Sequence, residues 1–146
     1  SRDIIKNAVE GYHRLGVEQP KVAVVGAVEV VNPKMQATTD AAILSTMNNR
    51  GQIKNCQVDG PYAIDNAISK KAAEQKCIHN DVAGDADIIM LPDINAGNVM
   101  YKTMNFLGGG LSAAVVMGAC VPVVLTSRAD SEDSKLMSIT IAAAMD

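Results

Sequence analysis

Val22-Ala23-Val24-Val25, set behind Pro20, and Ile88-Ile89-Met90-Leu91, set before Pro92, are two short unbroken apolar stretches of the same kind. Neither alternates with polar residues and neither is long enough for a helix, so each reads as a strand covered on both faces. Cover on both faces requires helices above and below a sheet, and these eight residues therefore decide for an α/β fold. Further strand candidates are the run that Ile53 opens and Val58-Asp59-Gly60-Pro61 ends, residues 113–117, and residues 121–125.

Helical patterns separate these runs. Ile4, Ile5, Ala8, Val9, Tyr12 and Leu15 recur at helical spacing ahead of Gly16, predicting a helix over 2–15 that opens without a capping sequence. Crossover helices are expected near 38–49, 64–75 and 95–107, the last ended by Gly108-Gly109-Gly110. The alternation implies a mostly parallel sheet with right-handed crossovers. Too few residues lie between 117 and 121 for a parallel return, so the last two runs are an antiparallel pair or one bent strand. A final helix follows, capped by Asp130 or Ser131, with Glu132 and Asp133 suited to its positive end.

Composition narrows the function classes. Nearly half of the residues are apolar but only three tyrosines and one phenylalanine are aromatic, so the core is aliphatic. A net charge of −3 with no Lys/Arg cluster argues against nucleic acid as a partner. No apolar run approaches the roughly 20 residues of a membrane span, and Ser1-Arg2-Asp3 opens no secretory signal, which together point to a cytoplasmic protein without a membrane partner. Cys56, Cys77 and Cys120 match neither a disulfide framework nor a metal site, and His13 and His79 have no second ligand at metal spacing, so no metal is expected. There is no GxGxxG, GxxxxGK[ST] or GxSxG.

In open α/β sheets ligands bind beyond the carboxyl ends of the strands. The residues expected there are Glu29, Asn32 and Lys34 after the first run, Asp59, Pro61 and Asp65 after the second, Asp93, Gly97 and Asn98 after the third, and Ser127 and Arg128 after the fifth. Scaffold readings stand beside these: Asp59-Gly60-Pro61 as a turn, Asp93 as a helix cap, Asp133 as an acid on a helix dipole, and Arg128 paired with Asp130 or Asp133. A guanidinium beside a helix start suits a phosphate, which it grips with a bidentate fork.

Six ordered motifs carry a resemblance over essentially the whole chain. They are Asn32-Pro33-Lys34-Met35-Gln36-Ala37-Thr38-Thr39-Asp40-Ala41, Val58-Asp59-Gly60-Pro61, Asp65-Asn66-Ala67, Ala83-Gly84-Asp85-Ala86-Asp87, Pro92-Asp93-Ile94-Asn95-Ala96-Gly97-Asn98, and Thr126-Ser127-Arg128-Ala129-Asp130-Ser131. Together they resemble the phosphate acetyl/butyryltransferase family, its butyryl branch most of all. The resemblance implies reversible transfer of a butyryl or other short acyl group between coenzyme A, as substrate, and inorganic phosphate, with no bound cofactor. It implies two domains of the isocitrate/isopropylmalate dehydrogenase-like kind with the site in the cleft between them. Residues 1–146 correspond to the second, C-terminal domain, 131–146 to the terminal helix, and the N-terminal domain is absent. A homodimer or larger homo-oligomer is also implied.

By the same resemblance Ser127 and an acid a few residues on act in thiol deprotonation, and Arg128 acts on phosphate. The acid falls at Asp133, one residue short of the family's usual spacing, which lands on Ser134. Asn32, Lys34, Asp59, Pro61, Asp93 and Asn98 are the substrate-binding candidates. Two other readings accompany this one. A non-catalytic ligand-binding or assembly domain is favoured by the missing upstream half and opposed by the retained Ser127-Arg128. A dehydrogenase relative predicts metal-ligand aspartates at DxxxD spacing, but Asp81 and Asp85, which have it, precede a strand rather than follow one.

Overall fold

The computed structural model describes residues 2–121 and 123–146. Three parallel strands form its sheet in the order β2-β1-β3: β1 is Lys21–Val25, β2 Gln57–Tyr62 and β3 Ile88–Met90. Among the described residues six helices accompany them: α1 Arg2–Arg14, α2 Gln36–Asn49, α3 Ile64–Ile68, α4 Lys70–Gln75, α5 Ile94–Phe106 and α6 Glu132–Ala144. This is the α/β architecture with a parallel sheet that the apolar runs predict.

β1 sits in the middle, and its alternating side chains feed two cores. Val22 and Val24 pack with Ile5 and Val9 of α1, Ala41 and Leu44 of α2, and Ile53, Cys56 and Val58. Ala23 and Val25 pack on the other face with Tyr62, Ala67 of α3, Ala73 of α4, Val82 and Ala83. Every β1 residue from Val22 to Val25 is buried, as its unbroken apolar run requires.

The second strand departs from expectation. Ile53 is buried but lies outside it, in a loop that Asn48 holds by donating to the Ile53 and Cys56 carbonyls and accepting from the Val58 N–H. Asp59, Gly60 and Pro61 do not turn the chain at a rim; they lie within β2, an edge strand where proline is tolerated. The register shifts there, Ala23 facing Asp59 but Val25 facing Tyr62. A Cβ on Gly60 would stand 2.5 Å from the Val24 carbonyl oxygen, so only glycine allows this approach.

Two further differences have local causes. The helix expected over 64–75 is broken at Ser69, whose extended backbone leaves the helical region while its hydroxyl caps α4 by accepting from the Ala72 N–H at 3.3 Å. Residues 113–117 and 121–125 form no strands among the described residues. They meet only in one antiparallel bridge, Val116 N–H to the Val123 carbonyl at 2.8 Å, which agrees in direction with the antiparallel alternative. Gly118 at φ +95° turns the chain between them, and neither partner is buried, so no apolar face holds a longer ladder. Pro122, within the second run, lies outside the described residues, as does Ser1.

α5 runs against the usual polarity of a surface helix. Gly97, Tyr101 and Asn105, four residues apart, face the rest of the chain: Gly97 lies over Leu91, Tyr101 bonds Asp130, and Asn105 bonds Ser112. Val99, Met104, Phe106 and Leu107 are exposed instead.

Asp59 anchors the β2 side. One carboxylate oxygen accepts from Ser45 of α2 at 2.8 Å, and the other from Tyr62 at 2.6 Å and Asn80 at 2.7 Å. Burial, and then the Asp59 carboxylate, push the Tyr62 phenol well above its ordinary pKa. Replacing Asp59 by Ala leaves the buried Ser45 hydroxyl without its acceptor and the Tyr62 hydroxyl with Asn80 Oδ1, at 2.8 Å, as its acceptor, and is expected to cost about 1–3 kcal/mol. Urea denaturation of the Asp59→Ala chain beside a Lys71→Ala control measures it.

Candidate active site

Two polar clusters lie in the segments that follow the strands. The first joins the loops after β1 and β2. Glu29 accepts from Lys76 at 3.1 Å and from the fully buried Asn66 at 3.4 Å, and Lys76 also reaches Asp65 at 3.4 Å. The Lys76 hydrogen bond is the largest cause holding the Glu29 carboxyl below its ordinary pKa, and Glu29 in turn holds Lys76 above its own. This clamp fixes the start of the loop that carries Asn32 and Lys34.

Within that loop Asn32 is committed to local structure. Its side-chain oxygen accepts from the Lys34 N–H at 3.0 Å, and its own N–H donates to the buried Thr38 hydroxyl at 2.9 Å. These bonds make an Asx-type turn into α2. The Lys34 side chain is exposed and has no ion-pair partner among the described residues. Asp59 and Pro61 stand back from the rim inside β2, and the three donors on Asp59 assign its carboxylate to the scaffold.

The second cluster is built on α5, which starts just beyond β3. Asp93 is its N-cap, accepting from the Asn95 and Ala96 N–H groups at 2.8 and 2.9 Å, as the scaffold reading holds. Asn98 is exposed and lines a shallow hollow with Ile94, Asn95, Gly97 and Tyr101. Two turns into the helix, Tyr101 donates to one Asp130 oxygen at 2.5 Å. The other Asp130 oxygen accepts from the Ser127 N–H at 2.7 Å, and the Asp130 N–H closes a turn onto the Ser127 carbonyl at 3.1 Å. Ser127 and Arg128 therefore ride on a turn tied to α5.

Arg128 is exposed and forms no ion pair among the described residues, so the pairing with Asp130 or Asp133 is not what the structure contains. Asp130 is occupied by Tyr101 and Ser127. The Tyr101 hydrogen bond is the first cause holding its carboxyl below the ordinary value, with smaller help from the Ser127 N–H, Lys102 and Lys135. Ser131, not Asp130, caps α6 by accepting from the Ser134 N–H at 3.1 Å. Asp133 is exposed in the first turn of α6, while Ser134 is buried and bonded to Ser131.

No hydrogen bond or ion pair joins the two clusters among the described residues. Each gathers distant sequence, Glu29 with Asn66 and Lys76 after β1 and β2, and Tyr101, two turns along α5, with Ser127 and Asp130. Asn66, Lys76 and Tyr101 escape a reading of the sequence, although Asn66 stands inside one of the six motifs. The discounted groups have ordinary settings. His13 contacts the Asn55 carbonyl at 2.9 Å, burial pushes the Cys56 thiol up, and Asp85 pairs with Lys21 and Lys70 at the other end of the sheet. No metal-holding group of three or more His, Cys, Asp or Glu occurs among the described residues, nor any helix long and apolar enough to cross a membrane.

Parallel strands with polar loops at their carboxyl ends define an α/β protein, a class in which that edge is where ligands generally bind. Residues 2–143 match the family model described as phosphate acetyl/butaryl transferase. The phosphate acetyltransferase of Thermotoga maritima is 57% identical over 97% of this chain, and the phosphate butyryltransferase of Clostridium acetobutylicum 52% over 97%. A solved branched-chain phosphotransacylase from Enterococcus faecalis superposes with a TM-score of 0.91 at 37% identity, covering 99% of this chain and 51% of that one. The chain belongs to the phosphate acetyl/butyryltransferase family. It spans about half the length of these relatives, 48% and 47% of the two enzymes.

The first cluster generates a pH prediction. A carboxyl whose folded pKa is depressed stabilises the fold above its unfolded pKa, here near 4.5, and the contribution is lost as pH falls through the lowered folded value. Lys76→Met is expected to weaken the acid dependence of stability, so that wild type and variant differ in urea midpoint at about pH 6 and the difference narrows as pH falls below about 4.5.

Proposed function

We propose that this chain is the Ser127-Arg128 half of a phosphate acyltransferase that moves a butyryl or other short acyl group reversibly between coenzyme A and inorganic phosphate. The observation that carries the reading is that exposed Arg128, without an ion pair among the described residues, follows Ser127 on a turn tied to α5. Family membership supports the substrate class, and the catalytic cleft is completed by the part of the longer protein that precedes this second, C-terminal domain.

In the direction that consumes acyl phosphate, sulfur of coenzyme A forms a bond to the acyl carbon as the bond from that carbon to the phosphate oxygen breaks. A free thiol has a pKa of about 8.5 and is mostly protonated at neutral pH, so its proton must be taken up as sulfur attacks. Ser127 relays that proton, and Asp133 is the carboxylate proposed to receive it. Arg128 holds the phosphate as charge gathers on the departing oxygen, where a fixed donor stabilises the transition state more than the ground state. Lys34, and Asn32 and Asn98 through side-chain groups left for a ligand, bind phosphate or the coenzyme A pyrophosphate. Bringing two substrates together supplies a further share of the rate.

Loss of the guanidinium is expected to lower kcat/KM by about 100-fold, with the larger part in the KM for phosphate. Full-length protein carrying Arg128→Ala, mixed with acyl phosphate and coenzyme A or with acyl-CoA and phosphate while free thiol is followed, reads it. A loss no greater than that of Lys71→Ala removes Arg128 from the site.

A further inference from the structure

We propose that Tyr101 is a positioning residue for the acyl-transfer site, and that it acts through Asp130 to set the turn bearing Ser127 and Arg128. The inference rests on the functional reading above and adds a residue to which that reading gives no role.

The geometry is a relay of two bonds through one carboxylate. Asp130 divides its oxygens, one taking the Tyr101 hydroxyl at 2.5 Å and the other the Ser127 N–H at 2.7 Å. Without Tyr101 the turn from Ser127 to Asp130 keeps its own closing bond, Asp130 N–H to the Ser127 carbonyl, and its run into the α6 cap at Ser131, but loses its side-chain tie to α5. No buried apolar residue lies between 112 and 133 among the described residues, so packing does not replace the tie. The tie is directional: a phenol two turns into α5 fixes where the turn sits relative to the carboxyl end of β3. A displacement of about 1 Å at such a turn is enough to cost roughly 100-fold in rate.

The link works only while Asp130 is ionised, because a protonated carboxyl cannot accept at both oxygens with equal strength. The groups acting on it are Tyr101 and Lys102 from α5, the Ser127 N–H from its own turn, and Lys135 from α6. Removing the phenol hydroxyl takes away the strongest of these, so the pKa of Asp130 moves up toward the ordinary carboxylate value and the acid limb of activity moves with it.

Tyr101→Phe deletes one oxygen and leaves the ring in place, which makes it the informative variant. In the full-length protein it is expected to lower kcat/KM at least tenfold, to raise the KM for phosphate as well as lower kcat, and to shift the acid limb of the pH profile upward. Combined with Asp130→Asn it is expected to cost little more than either change alone, since both break one relay. In the 146-residue chain the Ser127 amide is expected to exchange with solvent deuterium faster in the variant than in the wild type. Unchanged kcat/KM and pH profile in Tyr101→Phe, together with loss of activity in Arg128→Ala, overturns the relay and leaves the acyltransferase reading intact. Equal Ser127 exchange in wild type and variant also overturns it. Should the full-length protein show no reaction with acyl-CoA and phosphate, that failure belongs to the functional reading, and the amide exchange still decides the relay.

Discussion

The structure depends on a central strand that is buried from both sides. β1 alternates Val22 and Val24 into one core with Ala23 and Val25 into the other, and both neighbouring strands align parallel to it. Parallel alignment puts all three carboxyl ends at one edge, and there the segments after β1 and β2 come within reach of one another. Glu29 meets Asn66 and Lys76 because of that alignment, not because of any local preference of the loops themselves.

That strand and the helices around it were legible because burial on both faces leaves a mark that a single sequence carries: unbroken apolar runs ended by proline, then helical spacing. The 113–125 region carries the same mark and yields one bridge. An apolar run specifies a strand only when another strand accepts it, and these two segments have each other over a single residue pair, their other contacts being with helices, Met117 against Gly11 of α1 and the Ala114 N–H on the Ser138 hydroxyl of α6. Ser69 escapes for a different reason. Its hydroxyl competes with the helix for a backbone N–H, and which side wins depends on the packing of Ala67 and Ala73 into the core on either side of it.

The candidate site divides along a similar line. In the sequence Asp59 and Asp130 are both acids at or near the end of an apolar run, and position alone cannot tell them apart. Asp59 accepts from Ser45, Tyr62 and Asn80 from three segments, which makes it a structural node. Asp130 spends its capacity on Tyr101, 29 residues away, and on the backbone of Ser127. Only the identity of the partners distinguishes the two, and partners at such separations are fixed by tertiary structure. Ser127 and Arg128 were legible through the six-motif resemblance, whereas Tyr101 was not, since a lone tyrosine in a helix reads as core.

The inverted face of α5 explains why polar bonds rather than packing hold the Ser127 turn. A helix that directs Val99, Met104, Phe106 and Leu107 outward has little apolar area left for its own domain, so its inward contacts are Tyr101 to Asp130 and Asn105 to Ser112. Apolar contact is tolerant of small slides, because its free energy follows area and not direction. A hydrogen bond weakens steeply once its angle closes, so a turn held by two of them in series keeps its orientation more narrowly than a turn resting on a greasy patch. For a residue such as Arg128, proposed to aim a planar fork at an anion, orientation is the property that matters, and α5 supplies it by presenting its polar side to the chain.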